Sequence, residues 1–241
     1  MNTHELTDVG IKRDANEDAV LTASIGEQYL LVVADGMGGH AAGDVASDIA
    51  TSKIEEIVAN SLPAEETEYE AILANAISAA NREIHAHAAD DPSLSGMGTT
   101  VVAAIIDEAE ATVANVGDSR CYHIDDDIEQ VTVDQSLVQE LIEAGEITEA
   151  EAKDHPQRNV ISQSLGTTDD VEPDFYTQVI DGTLLLCSDG LTEEVSDSNI
   201  AKIVSEEPTL AETAETLVHR ANQNGGSDNI TVAVCTRSEE E

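Results

Sequence analysis

Basic and aromatic residues are the scarce ones in this chain. Ten Lys and Arg stand against 50 Asp and Glu over 241 residues, a formal charge of −40, with no Trp, one Phe and four Tyr. Such an anion argues against nucleic acid as a partner, because that binding rests on Lys and Arg at phosphates. A phosphate ligand would need a local cation to be held. Cysteine is equally thin. Cys121, Cys187 and Cys235 lie inside apolar strand-like runs without metal-ligand spacing, so buried inert thiols are expected, and neither a disulfide frame nor a zinc site. No stretch approaches the ~18 apolar residues of a membrane span. The N-terminus has neither the basic start nor the apolar core of a signal peptide, and a cytoplasmic location with no membrane partner is expected.

A wholly disordered acidic chain is excluded too. Apolar residues make up 41 % and recur at strand and helix spacings. Self-repulsion at −40 would be severe in dilute buffer, but molar salt shortens the Debye length to ~3 Å and removes most of it. The acidic surface, four lysines and small residues in place of aromatics point to a salt-rich cytoplasm.

The chain is organised around residues 30–47, LLVVADGMGGHAAGDVAS. Leu30 to Ala34 read as a buried strand ending on a carboxylate, Asp35. Gly36, Gly38, Gly39 and Gly43 then let the backbone turn sharply and approach something small. Ala46, Ile49, Ala50, Ile54, Ile57 and Val58 mark an amphipathic helix leaving the loop. A carboxylate at a strand end beside exposed carbonyls suits a hard cation; a solvated Asp in an ordinary strand–turn–helix is the alternative.

In chain order, residues 4–11 read as a strand, and Val20–Ile25 with Tyr29–Ala34 as a hairpin over Gly26 and Glu27. The first helix ends near Leu62–Pro63. A second, about 66–89, carries Tyr69, Leu73, Ala76, Ile77, Ala80 and Ile84 on one face. Thr99–Asp107, Ala111–Gly117, Arg120–Ile124 and Ile128–Val133 are strand-like, and their short links predict an antiparallel meander. Residues 134–170 form an insertion with helices near 135–144 and 148–153, and a mobile flap is expected there. Phe175–Ile180 and Thr183–Ser188 read as a hairpin over Asp181 and Gly182. Helices near 197–206 and 208–224 and a strand at Asn229–Cys235 follow. Two stacked sheets with helices outside, in one domain over 1–241, is the economical reading.

Asp35, Asp118, Asp189 and Asp228 share a local grammar: each sits at the end of an apolar strand beside Gly, Ser or Asn. Any one of them alone is explained by a turn. If they gather, repulsion forbids them all to ionise unless divalent cations compensate, and oxygen-only ligands favour Mg²⁺ or Mn²⁺ over zinc. Arg13 is conspicuous where cations are scarce. Its guanidinium could fork onto phosphate oxygens; a surface salt bridge is the default alternative.

At this point TDVGIKRDANEDA, VVADGMGGHAAGDVAS, GMGTTVVAAII, ANVGDSRCY, HPQRNVISQSLG, CSDGL and SDNITVAV together resemble the metal-dependent Ser/Thr protein phosphatases of the 2C type. The likeness is to their compact bacterial form, in a salt-adapted, haloarchaeal-like setting, and it spans about 5–236. It implies an α+β fold: a four-layer αββα sandwich of two antiparallel sheets flanked by helix pairs. Position by position, it implies that Asp35 bridges two metals and the Gly36 carbonyl binds the second. Asp189 and Asp228 complete the first metal's ligands, while Glu17 and Asp18 hold waters on the second. Asp118 with Asp189 matches a third, weaker site, and Arg13 the phosphate-holding arginine. Two or three Mn²⁺ or Mg²⁺ ions are implied.

The implied chemistry is hydrolysis of phosphoserine and phosphothreonine on proteins, opposed by a Ser/Thr kinase, in a monomer. A water held between cations about 3.5–4 Å apart loses its proton near neutral pH and attacks phosphorus in line, with no phosphoenzyme. Two departures stand out. The family often has Asp-His where Asp134-Gln135 stands, and Gln135 cannot titrate. Animal members place a His two residues after the bridging Asp; here that residue is Met37, and His40 is the nearest substitute as leaving-group acid, against a structural or water-binding role. His155 and Arg158 match the flap segment, where packing or hinge roles are expected. Two alternatives remain: a small-molecule phosphoesterase, and a non-catalytic metal-binding module that recognises phosphoproteins. Retention of every metal carboxylate favours the enzyme.

Overall fold

The computed structural model describes residues 1–38, 42–63 and 68–237. The chain begins with β1 (Asn2–Asp8), β2 (Ala19–Ile25), β3 (Gln28–Ala34) and the two-residue β4 (Gly36–Met37). Helices α1 (Gly43–Ser61) and α2 (Tyr69–Asp90) lead to β5 (Gly98–Thr99), β6 (Val101–Asp107), β7 (Glu110–Val116), β8 (Arg120–Ile124) and β9 (Ile128–Gln130). Short helices α3 (Leu137–Glu143) and α4 (Glu149–Lys153) precede β10 (Asp174–Val179) and β11 (Thr183–Cys187). The chain continues through α5 (Asp189–Thr192), α6 (Asp197–Glu206) and α7 (Leu210–Asn224) to β12 (Ile230–Thr236). No helix among the described residues is long and apolar enough to cross a membrane.

The strands form two antiparallel five-stranded sheets, β1-β12-β11-β8-β9 and β10-β7-β6-β3-β2, with β4 and β5 as a small separate ladder. The unbroken apolar run of β3 is explained by burial on both faces. Side chains alternate along a strand, so Leu30, Val32 and Ala34 pack under α1 and α2 while Leu31 and Val33 meet the other sheet. The space between the sheets is filled by Val102, Ala104, Ile106, Val113, Cys121, Leu184, Leu186 and Ala233, among others. A third cluster seats α5, α6 and α7 on the outer face of the first sheet. The result is the expected α+β sandwich of helices, sheet, sheet and helices. Small residues set its spacing: Ala46 and Ala50 of α1 and Ala76 and Ala80 of α2 are fully buried. Cys121, Cys187 and Cys235 are free and buried, as expected.

Three local expectations are corrected. Residues 99–133 do not form a meander: β6 and β7 pair in one sheet, whereas β8 and β9 lie in the other. The link Gly117–Ser119 carries the chain across the sandwich, with Gly117 at φ 103, a conformation that glycine alone adopts freely. Phe175–Ser188 likewise is not a hairpin, since β10 pairs with β7 and β11 with β8 and β12. A two- or three-residue link fits a hairpin or a crossing equally well; the pairing partner decides. The opening strand also ends early, at Asp8, because Gly10 takes φ 78 and Ile11 and Lys12 donate to the Gly226 carbonyl.

Candidate metal centre

Strand register brings the singled-out carboxylates to one end of the sandwich. Ala19 pairs with Ala34, and Val101 with Val116, which sets Asp18, Asp35 and Asp118 at the same edge of the second sheet. In the first sheet Cys187 pairs with Arg120 and Val232, and Ile230 with Asp8, so Asp118, Asp189 and Asp228 emerge at that edge too. Asp18, Asp35, Asp118, Asp189 and Asp228 are all partly buried there.

Backbone and hydroxyl contacts hold each one. The Asp35 N–H donates to Thr100 Oγ1 (3.1 Å), and the Thr100 N–H donates to the Asp35 carbonyl (2.9 Å). Thr100 Oγ1 also bonds Ser119 Oγ at 2.7 Å, tying the Asp35 turn to the Asp118 crossing. Asp18 Oδ2 accepts from Ser188 Oγ (2.9 Å) and Thr231 Oγ1 (2.6 Å). Asn229 is the hub of the opening loop: its Oδ1 accepts from the Glu17 N–H (2.8 Å), and its Nδ2 donates to the carbonyls of Val9 and Ala15 (both 2.9 Å). Gly36 is wedged between backbones, where a Cβ would lie 2.2 Å from the Glu17 carbonyl oxygen and 2.3 Å from that of Gly43. That contact sets Glu17 beside the Asp35–Gly36 turn. Arg13 reaches over from the exposed rim and donates to Asp228 Oδ2 at 2.5 Å.

The electrostatics are those of crowded like charge. Lost solvation, then the fields of Asp18, Asp189, Asp118 and Asp228, hold the Asp35 carboxyl well above the usual range. Asp189 is pushed up to about 8 by desolvation and by Asp118, Asp228 and Glu193. Asp18 rises to about 6 chiefly by desolvation, against the pull of the Thr231 and Ser188 hydroxyls. Asp118 also rises to about 6, by desolvation and the field of Asp134. Asp189 Oδ1 is buried with no hydrogen-bond donor, a costly arrangement for a carboxylate unless a cation meets it. Oxygen donors, clustered negative charge and an orphaned carboxylate oxygen together fit hard divalent cations.

The structure therefore brings together Glu17, Asp18, Asp35, Gly36, Asp118, Asp189 and Asp228, with Arg13 on the rim. His40 lies outside the described residues. Gln135 is structural: its Oε1 accepts from the Gly117 N–H (2.9 Å) and its Nε2 donates to Asp174 Oδ2 (2.7 Å). Asp134 takes the Arg120 fork at 2.8 and 2.7 Å. His155 caps its own turn, accepting from the Gln157 N–H, and Arg158 approaches Glu193 at 3.9 Å. Sequence reasoning missed Thr100, Ser119, Ser188, Thr231 and Asn229 as positioning residues. All five lie within the GMGTT, GDSR, CSDGL and SDNITV motifs, and the clustering of small polar residues in those motifs was the available signal.

A cleft of this composition, at the mouth of two stacked antiparallel sheets, is that of a metal-dependent hydrolase. The protein phosphatase 2C profile matches residues 11–233. The chain is 42 % identical over 246 residues to the serine/threonine phosphatase stp of Listeria innocua, covering 99 % of this chain and 96 % of that protein. It superposes on the serine/threonine phosphatase Stp1 of Staphylococcus aureus with TM-score 0.93 at 38 % identity, covering 98 % and 95 % of the two chains. The catalytic domain of the protein phosphatase PstP, solved with two manganese ions, gives TM-score 0.85 at 36 % identity, covering 97 % and 96 %. The chain belongs to the protein phosphatase 2C family.

Proposed function

We propose that this protein hydrolyses phosphoserine and phosphothreonine on proteins, using two Mn²⁺ or Mg²⁺ ions held by the strand-end carboxylates. The observation that carries the reading is the convergence of five aspartates, where lost solvation and then the field of their neighbours raise the carboxyls of Asp35 and Asp189 and so favour a cationic counter-charge. Asp35, Asp189 and Asp228 would hold the first ion; Asp35 and the Gly36 carbonyl would hold the second, with Glu17 and Asp18 fixing its waters. Asp118 with Asp189 would take a weaker third ion. When bound, the ions supply an activated water at neutral pH and neutralise charge developing at phosphorus.

The chain's own residues do the rest. Arg13 sits on the exposed rim, paired to Asp228 through one Nη, and its guanidinium is suited to clamp phosphate oxygens in a fork. In that position it orients the phosphoryl group and offsets charge on its equatorial oxygens. Thr100 and Ser119 hold the Asp35 and Asp118 turns at a fixed separation, so the carboxylates do not reorganise as charge moves. His40, the nearest histidine in the sequence, would serve as acid for the leaving alkoxide, with a structural or water-binding role as the alternative. No cysteine serves as nucleophile, all three being buried in the cores.

The wider reading is a cytoplasmic, monomeric, salt-adapted signalling enzyme opposed by a Ser/Thr kinase. It comprises one catalytic domain over residues 1–241, with a flap at about 134–170. The acidic excess supports salt adaptation, and a melting temperature that fails to fall between molar and 0.1 M salt would remove that part. The central test is Mn²⁺-stimulated release of phosphate from p-nitrophenyl phosphate and from phosphoserine and phosphothreonine peptides in high salt. Turnover of the small ester alone would redirect the reading to a small-molecule phosphoesterase, and none with either substrate would end it.

A further inference from the structure

The sandwich has a second cluster of ligating side chains at the end opposite the carboxylate cleft. β8 runs away from Asp118, and β11 runs toward Asp189. The residues after the one and before the other therefore meet roughly 15 Å from the cleft, four to five strand residues at ~3.3 Å each. There His123, Asp125 and Asp181 bring one ring nitrogen and two carboxylate oxygens to within 4.8 Å of one another. No other trio of His, Cys, Asp or Glu among the described residues is so tightly gathered.

His123 is the informative member. It is 6 % exposed and lies on the same side of β8 as Cys121 of the inter-sheet core. Its buried Nε2 lies 2.9 Å from Asp181 Oδ1, yet it makes no hydrogen bond; the carboxylate oxygen stands off the N–H direction. Two ligand atoms each ~2.0–2.2 Å from one ion, at octahedral to tetrahedral angles, stand about 2.9–3.5 Å apart and point at the ion, not at each other. The pair has that separation and lacks the alignment of a hydrogen bond.

The backbone beneath is fixed. A Cβ on Gly182 would lie 2.2 Å from the Ile124 carbonyl oxygen, so the two loops touch directly. The Asp127 N–H donates to Asp125 Oδ1 at 3.0 Å, which fixes the Asp125 carboxylate over its own turn. Thr236 Oγ1 donates to the Gly182 carbonyl at 3.1 Å.

We propose that His123, Asp125 and Asp181 form a metal site distinct from the catalytic cleft, taking one borderline divalent cation of the Zn²⁺ class with water completing its shell. An imidazole beside two carboxylates selects such an ion over Mg²⁺ or Ca²⁺, which take all-oxygen sites. Bound there, the ion clips the β8–β9 turn to the link that carries the chain from β10 to β11.

The test uses the full chain with Mg²⁺ saturating the cleft and Zn²⁺ as the probe. Zn²⁺ should be retained at one equivalent per chain by elemental analysis, and ¹⁵N spectra of the histidine rings should show His123 shifting while the other rings stay in place. Asp181→Asn and Asp125→Asn change exposed side chains, so folding is not at stake. Each should weaken Zn²⁺ binding at least about tenfold, the lower bound for disturbing even an outer partner of a metal ligand, while Mn²⁺-dependent phosphatase activity stays at the parent's level. Three results would overturn the proposal: an unmoved His123 ring, parental affinity in Asp181→Asn, or loss of the retained Zn²⁺ in Asp189→Asn. The last would place the ion in the cleft.

Discussion

Asp189→Asn should move stability and activity in opposite directions. Its carboxyl is pushed up to about 8 from an ordinary 3.8, so in the absence of metal the folded state binds the more protons between those values. The sign follows from proton linkage: the contribution to stability is full below the unfolded pKa and is lost as pH rises through about 8. At 1.36 kcal/mol for each unit, a rise of about four units caps the loss at ~6 kcal/mol. Asp189 keeps part of its surface exposed, which brings the expected penalty to ~1–3 kcal/mol. An amide of the same shape carries no charge to repel Asp118 and Asp228. In EDTA at pH 8.5 and molar KCl the variant should therefore melt ~2–12 °C above the parent, at ~2–4 °C for each kcal/mol in a chain of this size. Near pH 4 the difference should vanish. Saturating Mn²⁺ should reverse the order, since metal at about 1,000 times its dissociation constant adds ~4.1 kcal/mol to the parent and little to the variant. Phosphate release should fall about 10²–10³-fold, the scale of losing one preorganised electrostatic group. Thermal melts with and without EDTA, beside a p-nitrophenyl phosphate assay, read both effects. A variant that melts with the parent at pH 8.5 and keeps its turnover would refute the convergence of charge on which the mechanism rests.

The remaining expectations are more local. Arg13→Ala should raise KM about tenfold with kcat within a few-fold, the signature of a lost phosphate clamp; steady-state kinetics on a phosphopeptide separate the two constants. Gly36→Ala drives a methyl group into two backbone carbonyls at 2.2 and 2.3 Å. It should cost about 3 kcal/mol and abolish Mn²⁺-dependent turnover, measured by urea unfolding and assay. Protons on Asp18 and Asp118, at about 6, and on Asp189, at about 8, compete with metal. The Mn²⁺ concentration for half-maximal activity should therefore rise about tenfold for each proton displaced per pH unit as pH falls from 8 to 6. A flat metal requirement over that range would contradict the raised carboxyls.

How much of this was legible in the sequence depends on the range over which each signal acts. The stripe Tyr69, Leu73, Ala76, Ile77, Ala80 and Ile84 lies buried as its spacing predicts. The hairpin over Gly26 and Glu27 pairs Ile25 with Gln28 across a two-residue turn. Both are local patterns, set by 3.6- and 2-residue periods within one element. The aspartates themselves were legible because each ends an apolar run.

Three things were decided only in the folded chain. Which sheet β8 and β11 join was not in their links, because Gly117–Ser119 and Asp181-Gly182 can close a hairpin or cross the sandwich at similar cost. The contacts that fix the carboxylates, such as Thr231 Oγ1 on Asp18 across 213 residues, depend on strand register, and register is a property of pairs of strands. The far-end trio of His123, Asp125 and Asp181 has no motif, since Asp181 meets the other two only through the pairing of β11 with β8. Periodicity reports which face of an element is buried; what lies against that face is settled by pairing and packing across the whole chain.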